Sequence, residues 1–153
     1  MDTNRTKEQF FHVSRKVMLR NEKGETLILD CGNSLGSMSG FWDLPGGRID
    51  RSETAIPLEK TIKREIFEEV GSIECTVNPK PVGAAIHIVP QEVHDLGEDL
   101  FVFMVLYEGE YLGGKIKISP VHAGYKWIDL NKIKPEEWFT KGLLAAVKNF
   151  LQK

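Results

Sequence analysis

The sequence predicts an α/β fold (α+β in its ordering), a mixed β-sheet packed between helices as an α/β/α sandwich. Three observations predict it. Short runs rich in branched and aromatic residues recur along most of the chain, as half-buried strands require. Only two segments carry a helical period. The order is strands, helix, strands, helix, without the regular alternation that builds an all-parallel sheet.

Each element follows from its own residues. Residues 1–9 are polar and predict a flexible N-terminus, with a single domain over 10–151. Residues 10–20 (FFHVSRKVMLR) read as a strand, Asn21-Glu22-Lys23-Gly24 as a turn, and 26–30 (TLILD) as the hairpin partner. The stretch 31–40 (CGNSLGSMSG), rich in glycine and serine, predicts a mobile loop. Residues 41–44 resume an extended path that Pro45-Gly46-Gly47 breaks.

Over 57–70 an apolar residue recurs every fourth position at Leu58, Ile62, Ile66 and Val70, and Phe67 widens the stripe. Ser52 or Thr54 is the expected cap, Pro57 suits a first turn, and Gly71 ends the helix. Strand-like runs follow at 73–77, 82–89, 100–107, 115–118 and 125–129, with a polar, acidic loop at 90–99. A second helix near 136–151 buries Leu143, Leu144, Val147 and Leu151.

Composition narrows the function. A chain of 153 residues, 41% hydrophobic and 27% charged, is the size of one well-buried domain. A net charge of −2 gives no electrostatic case for nucleic acid as a standing partner. No apolar run approaches the ~20 residues of a membrane span, and no signal-peptide core follows Met1. Cys31 and Cys75 lie far apart and match no zinc or redox spacing, so reduced thiols and a cytoplasmic location are expected.

The chemistry is concentrated in Arg64-Glu65-Ile66-Phe67-Glu68-Glu69-Val70-Gly71. On a helix, Glu65, Glu68 and Glu69 fall in one sector, because positions three and four apart are neighbours. Each like-charged pair there costs roughly 0.2–0.5 kcal/mol on a solvated helix, and acids near a helix C-terminus oppose the macrodipole. A hard divalent cation, which wants several oxygens at close quarters, would account for the crowding. Glycines at 46 and 47 let the chain turn sharply and bring its backbone close to a ligand.

Together, Gly46-Gly47, Glu53 and the Arg64–Gly71 segment resemble the Nudix box, with Trp42-Asp43-Leu44-Pro45-Gly46-Gly47 similar to the usual lead-in. Two departures stand out. Ten residues separate Glu53 from Arg64 where the family has seven, and Ser72 replaces an aliphatic residue. Pro57 places the extra length before the helix, and either Glu53 or Glu59 fills the first glutamate position.

The resemblance implies a pyrophosphohydrolase dependent on Mg²⁺ or Mn²⁺, cleaving a nucleoside diphosphate linked to another moiety. It implies Glu65, Glu68, Glu69, Glu53 and the Gly46 carbonyl as metal ligands, with Gly46 and Gly47 shaping the site. Arg64 resembles the arginine that steers a catalytic glutamate. The general base comes from the box helix or a later loop; Glu92, Asp95, Glu98 and Asp99 are offered there, and Glu98, just before a strand, is the leading candidate. Val121-His122 stands where relatives sometimes carry Glu-His, and Trp127 reads as core. The resemblance also admits a homodimer and, as an alternative, a nucleotide-binding sensor without turnover. The substrate is not legible from these residues.

Overall fold

In the computed structural model, residues 7–33 and 38–152 are described. The expectations for residues 1–6 and for 34–37 of the loop therefore lie outside the described residues. The chain runs β1 (His12–Arg20), β2 (Thr26–Asp30), β3 (Trp42–Asp43), β4 (Gly46–Arg48), α1 (Leu58–Val70), β5 (Glu74–Val77), β6 (Gly83–Val89), β7 (Leu100–Gly113), β8 (Gly124–Ile128) and α2 (Lys141–Leu151).

These described strands form one eight-stranded mixed sheet, with the path β3-β2-β1-β7-β5. Strand β4 joins β1, β6 joins β7 and β8 joins β2. The central pair β1 and β7 is parallel, in register from His12↔Val102 to Arg20↔Glu110. The other pairs are antiparallel. The β1–β2 hairpin turns as its residues require: the Asn21 side-chain oxygen accepts from the Lys23 and Glu25 N–H groups, and Gly24 takes φ 76°.

Alternation along the central strands sends side chains to two faces, and each face meets one helix. On one, Met18, Ile28, Leu44, Met104 and Leu106 pack against Leu143, Ala146 and Val147 of α2. On the other, Val17, Leu19, Leu27, Leu29, Val105 and Tyr107 pack against Ile62, Ile66 and Val70 of α1. The α/β/α sandwich is thus present.

Four local expectations are corrected. Gly46 and Gly47 do not break the extended path; Gly46–Arg48 pairs with Ser14–Lys16 as β4. Neither Ser52 nor Thr54 caps α1, whose N-cap is Pro57 without a side-chain bond. Asp50 instead caps a 3₁₀ turn at Arg51–Glu53, and this turn with Thr54–Pro57 absorbs the long spacing ahead of the helix. Residues 115–118 form no strand, because Lys117 and Ser119 donate to the Val70 and Glu69 carbonyls at the end of α1. The helix expected from 136 begins only at Lys141, after a 3₁₀ turn at Pro135–Glu137.

Candidate functional site

Two adjacent cations on β1 organise the site. Arg15 and Lys16 lie in the middle of an apolar strand and are both buried, and successive residues of a strand point to opposite faces. Arg15 turns towards α1. Its guanidinium donates to the Gly47 carbonyl (3.1 Å), the Arg48 carbonyl (2.8 Å) and the Thr61 hydroxyl. It also lies 3.4 Å from Glu65 and 3.5 Å from Glu53. Lys16 turns the other way, donating to Asp43 (2.7 Å) and to the Leu44 (3.3 Å) and Gly46 (3.5 Å) carbonyls.

Arg64 ties the box together. It reaches Glu53 through Nε (2.5 Å) and Nη2 (3.1 Å), Glu65 through Nη2 (2.8 Å), and both oxygens of Glu68 through Nη1 (3.0 Å each). Glu53, not Glu59, is the acid it grips, despite the longer spacing. The Gly46 N–H donates to Glu69 at 2.9 Å.

Glycine is required at the first two positions of β4. Gly46 has φ 142°, and a Cβ there would strike the Arg15 carbonyl. A Cβ on Gly47 would lie 2.6 Å from a Glu65 carboxylate oxygen. The absent side chains let α1 bring its carboxylates against the backbone of β4.

The electrostatics follow from these contacts. The Arg64 hydrogen bond, with help from Asp50 and Arg15, holds Glu53 below the usual carboxylate range. Burial pushes Glu69 up to about 7, against the pull of Lys16 and the Gly46 N–H. Burial also works against the Lys16 ammonium, but Asp43 and Glu69 outweigh it and hold its pKa above the ordinary lysine value.

The three box glutamates therefore differ in setting. Glu65 is nearly buried, Glu68 is half exposed, and Glu69 lies against β4. The charge crowding that spacing implies is offset in the fold by Arg15, Lys16 and Arg64. Among the described residues no three His, Cys, Asp or Glu side chains stand gathered as a ready cation cage. The donors are nonetheless hard oxygens of the kind Mg²⁺ and Mn²⁺ take. Arg64 engages both Glu65 and Glu68, and Arg15 also reaches Glu65.

The other candidates lie apart from this network. Glu98 is exposed and lines a hollow with Phe10, Phe11 and Phe101. Asp99 accepts from the Gln91 N–H, while Glu92 and Asp95 are exposed. His87 is buried and receives the Gly142 N–H at the start of α2. The His122 Nδ1 is buried without a hydrogen bond among the described residues. Trp127 packs on Tyr111 at the edge of the α1-side core, as expected of it. Sequence reasoning missed Arg15, Lys16 and Asp43. The signal was available: two consecutive cations inside an apolar strand break its pattern.

Known proteins share this fold. The family model described as NUDIX domain matches residues 10–147. A Methanosarcina mazei Go1 MutT protein is 29% identical, with a TM-score of 0.73 over 96% of this chain and 97% of its own. An ADP-ribose pyrophosphatase from Streptococcus suis 89-1591 superposes with a TM-score of 0.60 at 17% identity, over 94% of this chain and 91% of that one. The NUDIX domain of Shewanella oneidensis NrtR, complexed with ADP ribose, gives 0.61 at 16% identity, over 95% and 87%. A curated Caenorhabditis elegans protein carrying the name nudix hydrolase 1 is 24% identical over 133 residues. That alignment covers 86% of this chain, which spans only 32% of the relative's length.

Proposed function

Because this chain belongs to the Nudix family, we propose that it is a divalent-metal-dependent pyrophosphohydrolase acting on a nucleoside diphosphate linked to another moiety. The observation that carries this reading is the Glu53–Arg64–Glu65–Glu68 network laid against the Gly46-Gly47 backbone. A helix carrying three carboxylates, approached by the two consecutive glycines of β4, is built to bring oxygen ligands and a phosphate chain close together.

In this reading Glu65, Glu68 and Glu69 hold the ion, with Mg²⁺ or Mn²⁺ as its chemical class. When bound, such an ion neutralises diphosphate charge and acidifies a coordinated water. Arg64 orients Glu65 and Glu68, and Glu53 anchors Arg64 from the opposite side. For the base, the box helix is favoured over the loop candidate Glu98, which is exposed and has no hydrogen bond or ion pair to the box among the described residues.

The substrate class is supported by the relatives: the Streptococcus suis protein is an ADP-ribose pyrophosphatase and the NrtR domain was crystallised with ADP ribose. The test is a panel of nucleoside triphosphates, sugar nucleotides, dinucleoside polyphosphates and ADP ribose, incubated with Mg²⁺ or Mn²⁺ and assayed for phosphorylated products. Turnover of at least one member is expected, and Glu68→Gln should lower it by about 100-fold or more. Tight binding of a panel member without cleavage would establish the sensor reading instead. A homodimer in the cytoplasm completes the proposal, and sedimentation equilibrium on the purified protein tests the assembly.

A further inference from the structure

We propose that the Lys16 ammonium is a built-in cation of the box, filling the oxygen cage at Gly46 and limiting the protein to one bound divalent ion. The inference rests on the metal-dependent reading above and goes beyond it by setting the number and side of the ions.

The cage is made of protein oxygens. The ammonium touches a carboxylate oxygen of Asp43 and the main-chain carbonyls of Leu44 and Gly46, at 2.7, 3.3 and 3.5 Å. Its three N–H donors are thus matched by three acceptors. Lys16 is only 7% exposed, so little bulk water shares the charge. Glu69 stands close enough to stabilise the ammonium electrostatically, and its carboxylate is joined to the same glycine through the Gly46 N–H. A hard dication would choose this set of donors: one carboxylate, two carbonyls and a neighbouring acid. Here a tethered cation occupies it.

A dication on the Gly46 carbonyl would therefore lie within a few ångströms of the ammonium, in a site with little water to screen the repulsion. The Gly46 carbonyl, expected from the family resemblance to bind metal, is assigned instead to Lys16. Ion binding is directed to the other flank of α1, to Glu65 and Glu68, which Arg64 holds and of which Glu65 also meets Arg15. Of the three ligands proposed above, Glu69 is left to Lys16 and the Gly46 N–H.

Charge balance gives the same count independently. Asp43, Glu53, Glu65 and Glu68 are paired with Arg15, Lys16 and Arg64 by the contacts above, and Glu69 adjoins them through the Gly46 N–H. With every carboxyl ionised, two negative charges are left over, which one divalent ion neutralises. Without Lys16 the excess rises to three, and a second ion gains both a vacated cage and an attractive field.

The experiment counts Mn²⁺ bound to the chelator-stripped protein, without nucleotide, by isothermal titration and by electron paramagnetic resonance. It is run at pH 8. The wild type is expected to bind one ion per chain, Lys16→Met two, and Lys16→Arg one, with circular dichroism confirming each fold. Two or more ions in the wild type, or a single ion in folded Lys16→Met, overturns the assignment while leaving metal dependence intact. No uptake by the wild type overturns the metal reading itself. Should Lys16→Met fail to fold, the wild-type and Lys16→Arg counts decide: one ion in each supports the assignment, and two in either refutes it.

Discussion

Arg15 shows how much one side chain can organise. A fully buried guanidinium is tolerated because two backbone carbonyls, a hydroxyl and two carboxylates receive it. Arg15→Met should lower stability by about 3–5 kcal/mol, because Glu53 and Glu65 then lose a compensating charge. Urea denaturation measures it, and a loss below about 1 kcal/mol would mean both acids reach solvent unaided. Arg15→Lys should recover little, since an ammonium cannot reproduce the planar fork across β4 and α1.

Glu69 makes a pH prediction with a definite sign. Its folded pKa of about 7 lies above the ordinary carboxylate value. Its contribution to stability is therefore complete below about 4.5 and is lost as pH rises through 7. Glu69→Gln should accordingly stabilise the metal-free protein at pH 8 by on the order of 1–2 kcal/mol, and hardly at all at pH 4. Thermal melts in chelator at the two pH values check it. Glu53 works oppositely: its lowered pKa stabilises the fold above the ordinary glutamate value and is lost as acid protonates it.

At the scale of elements, the ends of the two helices matter most. The last carbonyls of α1 would be orphaned by the stop at Gly71. Residues 117–119 supply donors to two of them, which is why this stretch, strand-like in composition, docks on a helix instead. The start of α2 is packed against β6 so closely that a Cβ on Gly142 would lie 2.7 Å from the His87 Cβ and 2.8 Å from the Ile86 carbonyl. Gly142→Ala should cost about 1–3 kcal/mol, since both obstacles belong to a paired strand. An unchanged melting temperature would show that α2 can slide away from the sheet.

Across the whole molecule, the parallel β1–β7 pair is the frame on which both cores and the site are hung. Glu53 comes from a 3₁₀ turn, the box acids from α1, the glycines from β4 and the two cations from β1. Their mutual positions depend on the entire sheet, so ion binding as proposed above would be coupled to folding. Mn²⁺ at about 100 times its dissociation constant should add about 2.7 kcal/mol, raising the melting temperature by several degrees. The double variant Glu65→Gln, Glu68→Gln should show no such rise in a thermal scan; an equal rise would place the ion elsewhere.

Local patterns in the chain were sufficient for most of the strands, for α1, for the body of α2 and for the spacing of the box, though not for β4 or the start of α2, because period and turn chemistry are properties of neighbouring residues. They also placed the extra length of the box ahead of α1. Only the tertiary structure decided that Glu53 rather than Glu59 meets Arg64, and that 115–118 packs on a helix end. It alone revealed Arg15 and Lys16 on opposite faces of one strand, each neutralising a different part of the acid cluster. Those outcomes depend on pairing between segments dozens of residues apart, where burial and charge compensation are set by the assembled sheet.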